Sequence, residues 1–204
     1  MPYARELSVD VDDLELVADI DFEVEEGSFA VLTGPNGSGK TTILRALCGK
    51  ARVCAGDCGF GALSSTGRDV LRRAGASALV DLQPVSDSLT VREHLILIRE
   101  SWDLTEADGL FETASVTEEF GLGGLLERFP HQLSSGQQQC LHLAMVLGRP
   151  ATCYLLDEPY RHLDQHRRER LVRSVRARCA GGAPVLAASH GEEFLAGADQ
   201  LIQL

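Results

Sequence analysis

Apolar and acidic side chains alternate near the start of the chain. Every second residue from Leu14 to Val24 is apolar, and most of the residues between them are acidic. A period of two with one polar face predicts a long antiparallel strand that buries its apolar face. Glu26 and Gly27 are expected to end this strand in a turn.

Short apolar runs alternate with helical patterns over the rest of the chain. Strands are predicted over 29–33, 77–82, 152–156, 185–188 and 200–204. Helices are predicted over 41–48, 90–100, 106–120, 134–147, 164–179 and 192–196. Thr90 and Glu93 form the pattern of a capping box at the start of one helix. The segment 50–75 is rich in glycine, serine and alanine and carries no clear pattern.

This alternation predicts an α/β domain around a largely parallel sheet, preceded by an antiparallel β region. A chain of 204 residues suits a single domain. We expect residues 1–88 and 130–204 to form its core, and about 89–129 to form a helical lobe set into it.

The charge balance narrows the classes of function. Lys plus Arg is 19 and Asp plus Glu is 30, so the net charge is −11. Broad binding to nucleic acid phosphates needs clustered Lys and Arg, so we expect no nucleic acid partner. No apolar run reaches the roughly 20 residues of a membrane-spanning helix, and no signal peptide is expected. The scattered cysteines indicate a reducing compartment.

The segment from Gly34 to Thr41 follows the pattern G-x-x-x-x-G-K-[ST] between a predicted strand and a predicted helix. Its glycines let backbone N–H groups converge on phosphate oxygens, and the helix N-terminus adds partial positive charge. Lys40 supplies charge to the outer phosphates, and the Thr41 hydroxyl can hold Mg²⁺. A plain glycine-rich turn would not require the strand, lysine and threonine together. The predicted nucleotide-binding residues here are Gly34, Pro35, Asn36, Gly37, Ser38, Gly39, Lys40, Thr41 and Thr42.

Two adjacent acids follow the apolar strand near residue 155. Asp157 at the strand end can orient Mg²⁺ through water, and Glu158 can polarise a water for attack on a γ-phosphate. Two neighbouring carboxylates are costly unless a cation neutralises them. A solvated loop is the alternative, and the phosphate-binding pattern upstream argues against it.

Leu133 to Gln137 opens a further predicted helix. Ser134 is a good N-cap, and the N–H groups after it can face an anion. Taken alone, the segment also fits a plain helix start. It resembles the signature sequence of ATP-binding cassette (ABC) ATPases, with Ser135 where that family usually has glycine. The candidate signature residues are Ser134, Ser135, Gly136 and Gln137.

The resemblance to ABC ATPases extends over nearly the whole chain, in the family's own order. Gln83 resembles the glutamine loop, and 89–95 resembles the segment that opens the helical lobe. The segment 155–159 resembles the Walker B strand, Asp164 the loop after it, and His190 the switch histidine. Several ordered motifs at sensible spacing make this resemblance specific, whereas each motif alone would not.

The resemblance implies ATP hydrolysis with Mg²⁺ by two ABC ATPase subunits arranged head to tail, as a homodimer or a heterodimer. The phosphate loop of one subunit and the signature of the other would enclose ATP, with Ser134 on the phosphates. The implied catalytic residues are Lys40, Glu158 as the base, and His190 on the γ-phosphate and attacking water. The residues implied to surround Mg²⁺ are Thr41, Gln83 and Asp157. Asp164 is implied in the nucleotide-binding loop.

The family usually drives integral-membrane transporter subunits. We therefore expect an ATPase subunit, peripheral on the cytoplasmic face of the cell membrane, that powers a separately encoded transporter. The main alternative is a soluble ABC-type ATPase that remodels a protein assembly. Length and acidity argue against a DNA-repair head, and the intact site residues argue against a module that does not hydrolyse ATP.

The sequence departs from the family's pattern at two places. No aromatic residue lies between Glu6 and Asp13 to stack on adenine, and Tyr3 is far upstream. Residues 160–162, Tyr-Arg-His, replace the small residues usual before Asp164. An arginine run over 161–178 is expected to be a solvated helix face, with contact to anionic headgroups or a partner loop as the alternative.

Overall fold

The chain forms two β-sheets with helices packed around them. The computed structural model describes residues 1–11, 14–65, 69–81, 85–101 and 113–204. The strands are β1 (Pro2–Val11), β2 (Leu14–Glu23), β3 (Phe29–Thr33), β4 (Arg52–Phe60), β5 (Leu63–Ser64), β6 (Ser77–Leu79), β7 (Tyr154–Asp157), β8 (Val185–Ala188) and β9 (Gln200–Gln203). The helices are α1 (Lys40–Leu47), α2 (Val70–Ala74), α3 (Val91–Ser101), α4 (Thr113–Glu119), α5 (Ser135–Leu147), α6 (Gln165–Ala180) and α7 (Glu192–Ala196).

The N-terminal strands form an antiparallel sheet in the order β2-β1-β4-β5. This confirms the predicted antiparallel region, but the simple alternation is wrong at Val17 and Ala18. Val17 is buried and Ala18 is exposed, whereas Phe22 and Val24 follow the predicted phase. The pairing with β1 shifts register between Ile20 and Val17, and Asp19 has a φ of 55° there. A bulge at this point therefore reverses which side chains face inward.

The second sheet is parallel, in the order β6-β7-β8-β3-β9. Its strands are apolar on both faces, as expected for a parallel sheet covered on both sides. Phe29 and Val31 of β3 pack in one buried cluster with α3, α5 and α6. Ala30 and Leu32 face the other cluster, which contains α1 and the inner face of the antiparallel sheet. The phosphate-binding pattern thus follows the buried strand β3.

Most of the predicted helices are confirmed within two residues of their bounds. Thr90 and Glu93 form the predicted capping box, since the Thr90 N–H donates to Glu93 Oε2 at 2.7 Å. Of the predicted helix 106–120, residues 113–119 form α4, and residues 106–112 lie outside the described part of the chain. The segment without a clear pattern contains β4, β5 and α2.

The helices of the predicted lobe share a core with the rest of the domain. Leu95 of α3 and Val116 of α4 belong to the same buried cluster as Leu141 of α5 and Phe29 of β3. The division at residues 89 and 129 stays a prediction. None of the helices in the described ranges has both the length and the apolar character needed to cross a membrane.

Candidate functional site

The predicted phosphate loop connects the carboxyl end of β3 to the N-terminus of α1. Gly34 approaches the end of the chain so closely that a Cβ there would lie 2.7 Å from the Leu204 carbonyl oxygen. Gly39 caps α1 with a φ of 94°, a conformation that glycine adopts without strain. The loop therefore depends on glycine for its shape, and it aims the first N–H groups of α1 along the helix dipole.

Lys40 closes this loop on itself. Its side chain is buried, and Nζ donates to the carbonyl oxygens of Gly34 at 2.9 Å and Pro35 at 2.7 Å. Nζ also lies 3.4 Å from Ser38 Oγ. The ammonium group is thus held inside the curve of the loop, where its charge adds to that of the helix N-terminus.

Thr41 and Asp157 meet across the sheet. The Thr41 hydroxyl donates to the Asp157 carboxylate, at 3.1 Å from Oδ1 and 3.0 Å from Oδ2. Burial raises the pKa of Asp157 above its ordinary value; the Thr41 hydrogen bond opposes this shift, and the charge of Glu158 adds to it. A half-buried carboxylate beside a second carboxylate favours a nearby cation, and these oxygen donors are of the hard type that Mg²⁺ prefers.

Glu158 adopts an unusual backbone conformation directly after Asp157. Its φ is 45°, and its N–H donates to the carbonyl oxygen of Ala188 at the end of β8. A non-glycine residue in this region carries strain of about 1–3 kcal/mol and is often found at functional sites. His190 Nε2 lies 3.9 Å from Glu158 Oε1, so the two side chains face each other without a direct hydrogen bond.

The parallel sheet brings these residues together. The strands β7, β8 and β3 are neighbours, and Asp157, His190 and the phosphate loop follow their carboxyl ends. A cleft of about 730 Å³ opens beside them. Ligand sites of open α/β sheets lie at this edge. The cleft is also lined by residues that the sequence analysis did not single out as site residues, namely Arg45, Asp81, Gln138, Gln139 and His142.

The candidate signature forms the N-terminus of α5. Ser134 Oγ accepts from the Gln137 N–H at 3.3 Å, and Gln137 Oε1 accepts from the Ser134 N–H at 2.9 Å. This capping box explains why both residues fit a helix start. A Cβ on Gly136 would lie 2.6 Å from the His162 carbonyl oxygen, so glycine is required where the loop before α6 crosses. Ser135 lines the cleft beside Thr41.

Of the remaining predicted site residues, Asp164 lies within the described part of the chain and Gln83 does not. Asp164 caps α6, because its Oδ1 accepts from the Arg167 N–H at 2.9 Å. Gln83 lies outside the described residues, and its predicted place near the metal stays a prediction.

Tyr3 lies in β1 and is buried. Its hydroxyl donates to Asp57 Oδ2 at 2.7 Å, and burial raises the pKa of Tyr3 to about 12. The Tyr3 side chain therefore packs within the antiparallel sheet, where its hydroxyl is bonded to Asp57.

Several arginines of the predicted basic run have partners within the chain. Arg176 pairs with Asp199 at 2.7 Å, and Arg178 pairs with Glu119. Arg168 donates to the Leu163 carbonyl oxygen at 3.0 Å. The run therefore ties α6 to neighbouring elements, in addition to presenting a polar face to solvent.

The fold and site define a class of protein. A parallel sheet, a glycine-rich loop between β3 and α1, and a carboxylate from the next strand but one are the features of a P-loop nucleotide-binding domain.

Comparison with known proteins gives the family. The family model of ABC transporters matches residues 17–161. A Staphylococcus epidermidis protein, provisionally named hemin import ATP-binding protein HrtA, is 29% identical over 195 residues, 93% of this chain and 88% of that protein. The sulfate/thiosulfate import ATP-binding protein CysA of Mycobacterium bovis is 34% identical over 156 residues, 74% of this chain and 43% of that protein. The chain belongs to the ABC transporter family, as an ATP-binding subunit with ATPase activity.

Solved structures agree on the fold. The structure of an ATP-binding subunit of an ABC transporter superposes with a TM-score of 0.86 at 22% identity, over 100% of this chain and 85% of that one. An ABC transporter ATP-binding protein from Pyrococcus furiosus gives a TM-score of 0.80 at 21% identity, over 100% of this chain and 96% of that one.

Proposed function

We propose that this chain is the ATPase subunit that powers an integral-membrane transporter from the cytoplasmic face of the cell membrane. One observation carries the proposal. The half-buried Asp157 carboxylate accepts a hydrogen bond from Thr41, the residue next to the lysine that closes the phosphate loop. The names of the relatives, which are import ATP-binding proteins, support the link to transport.

The phosphate loop supplies the binding of ATP in this proposal. The backbone N–H groups of Gly34, of 36–39 and of Thr42 approach the phosphate oxygens, and the Lys40 ammonium turns from the loop carbonyls to the outer phosphates. These contacts carry no information about the base. Because Tyr3 is engaged with Asp57, we expect affinity to come mainly from the triphosphate.

Thr41 and Asp157 are the residues that would hold Mg²⁺, with Gln83 as a further ligand. Their donors are oxygen atoms of the hard type that Mg²⁺ prefers, and the adjacent carboxylates of Asp157 and Glu158 favour a positive charge there. When bound, the ion would neutralise charge on the phosphates.

Glu158 is the general base in the proposed reaction. Its carboxylate takes a proton from the attacking water, and removal of such a base typically lowers the rate by about 10²–10⁴. His190 faces the same space, at 3.9 Å from Glu158 Oε1, and would hold the γ-phosphate and the water in line. The strained backbone of Glu158 fixes the direction of its side chain.

A second ABC ATPase subunit completes the site in this proposal. The signature Ser134–Gln137 of one chain would face the phosphate loop of the other, with Asp164 near the contact. The helix α5 begins at this signature, so its free N–H groups and dipole favour an anion. Closing and opening of the pair would then move the transporter.

The loss of Lys40 tests the proposed function. Lys40→Ala should abolish measurable ATP binding and turnover, since each charge-assisted hydrogen bond contributes about 1.5–3 kcal/mol. Lys50→Ala is the matched control, because the other lysine of the chain is about half exposed and pairs with Asp81 at 3.4 Å. Turnover in Lys40→Ala equal to that of Lys50→Ala would contradict the assignment of the loop.

The transport role needs a second measurement. The protein should co-purify with a polytopic membrane protein from detergent-solubilised membranes. Co-purification with a water-soluble protein assembly alone would favour the alternative of an ATPase that remodels such an assembly.

A further inference from the structure

Tyr160 lies two residues after Glu158, in the loop between β7 and α6. Its hydroxyl oxygen accepts a hydrogen bond from the His190 N–H at 3.0 Å. Burial and the nearby Glu158 carboxylate both raise the pKa of this hydroxyl, so the carboxylate lies in its neighbourhood. One hydroxyl thus binds the His190 backbone and lies near the carboxylate that faces the His190 side chain.

The ring of Tyr160 is fixed by its surroundings. Its centroid lies 6.0 Å from that of Phe194, and the guanidinium of Arg168 stands 5.5 Å from the ring. Gly191 packs so closely that a Cβ there would be 3.3 Å from Tyr160 Cε1. A ring held on several sides places its hydroxyl with little freedom, which is a condition for positioning another group.

The hydroxyl can satisfy both neighbours at once. Burial raises the pKa of Tyr160 above its ordinary value, so the phenol keeps its proton at neutral pH. A phenol has one proton to donate and lone pairs that accept. Since the His190 N–H uses a lone pair, the proton is available to the Glu158 carboxylate, which can only accept.

Glu158 and His190 make no direct hydrogen bond to each other. Their nearest polar atoms, Oε1 and Nε2, are 3.9 Å apart. Their side chains are 23% and 37% exposed, so solvent competes for both. Tyr160, which accepts from the His190 N–H and lies near Glu158, is therefore placed to relate the carboxylate to the His190 backbone.

We propose that Tyr160 is a positioning residue that fixes the Glu158 carboxylate and the His190 loop relative to each other for hydrolysis. The proposal rests on the proposed function of Glu158 and His190. Tyr160 does not touch the reacting atoms; it acts through Glu158 and His190.

Tyr160→Phe is the direct test, because it keeps the ring and its packing and removes only the hydroxyl. We expect kcat for ATP hydrolysis to fall about tenfold, which corresponds to about 1.4 kcal/mol, with KM changed less than about twofold. A loss in kcat alone marks an interaction that matters in the transition state. Unchanged kcat, or a change confined to KM, would overturn the proposal.

Tyr154→Phe is the matched control. Tyr154 is buried, whereas Tyr160 is half-buried, and the Tyr154 hydroxyl donates to the Arg149 carbonyl oxygen at 2.8 Å, at the opposite end of β7. This variant should lower thermal stability and leave kcat within about twofold of wild type. An equal loss of kcat in both variants would mean that general destabilisation explains the effect, and would overturn the proposal.

A double variant at Tyr160 and Glu158 distinguishes a positioning role of the Tyr160 hydroxyl from a general effect on packing. In a Glu158→Gln background, measured by single turnover, adding Tyr160→Phe should change the rate less than about twofold. If the losses in rate caused by Glu158→Gln and Tyr160→Phe add fully, the proposal is overturned, because substitutions at residues that act through one another do not have additive effects.

Hydrogen exchange does not depend on ATP hydrolysis, so it tests the Tyr160 proposal separately from the proposed function. Hydrogen exchange of the His190 amide should accelerate in Tyr160→Phe and not in Tyr154→Phe, since its acceptor is lost only in the first. Unchanged exchange would overturn the Tyr160 proposal alone. Wild-type turnover in Lys40→Ala would instead overturn the proposed function.

Discussion

At the scale of single residues, His142 links the cleft to the pH dependence of stability. Burial lowers the pKa of His142, the charge of His94 adds to this shift, and Nε2 is buried with no hydrogen-bond partner within the described structure. The unfolded chain therefore binds a proton below about pH 6.5 that the folded chain resists. Stability should fall as pH falls through that value, by at most about 1.4 kcal/mol per pH unit.

Urea unfolding of wild type and His142→Gln at pH 5.5 and 7.5 measures this effect. The variant should lose less stability between the two pH values, because the proton it would gain on unfolding is gone. His166→Gln is the control, since His166 is exposed on α6. An equal pH dependence in wild type and His142→Gln would show that other groups control acid stability.

The site residues that can be predicted from the sequence are those whose position follows from short-range spacing along the chain. Lys40 and Thr41 stand at fixed offsets in one loop, and Asp157 and Glu158 at one strand end, so spacing alone indicates their place. Tyr160 was noted only as a departure from the family. Its contact with the His190 N–H depends on the pairing of β7 with β8, two strands about thirty residues apart, which no local pattern records.

At the scale of elements, two helix starts with the same capping geometry have different proposed functions. Ser134 and Gln137 cap α5, and Thr90 and Glu93 cap α3, with each hydroxyl accepting an N–H at 3.3 Å. Ser134→Ala and Thr90→Ala should each lower the free energy of unfolding by about 1 kcal/mol, measured with urea. Only Ser134→Ala should also weaken the ATP-dependent dimer. A dimer of equal strength in both variants would leave Ser134 as a helix cap only.

The elements that sequence patterns missed are those set by pairing between strands. β4 is mostly exposed over 52–57, so it lacks apolar alternation, yet it pairs with β1 along most of its length. The predicted phase is wrong at Val17 and Ala18 for the same reason, because the register of β2 with β1 shifts there. Buried helices and parallel strands were predicted well, since their apolar runs reflect burial on the sheet directly.

At the scale of the whole molecule, the proposed site is complete only between two chains. Glu158→Gln should keep the phosphate loop and the Thr41–Asp157 contact while losing the base. Bound ATP then persists and should hold two chains together. Size-exclusion chromatography with light scattering should give twice the chain mass of 22.0 kDa with ATP and Mg²⁺, and the single mass without them.

Charge gives this dimer a predictable dependence on salt. Each chain carries a net charge of −11, so two identical chains repel each other over roughly a Debye length, about 30 Å at 0.01 M and 8 Å at 0.15 M ionic strength. The ATP-bound Glu158→Gln dimer should therefore strengthen as salt rises through this range. The double variant Lys40→Ala/Glu158→Gln is the control and should stay monomeric, because its phosphate contacts are lost. A Glu158→Gln protein that is monomeric with ATP and Mg²⁺ at every salt concentration would contradict a homodimer, and mixing with a different ABC ATPase subunit would then test the heterodimer.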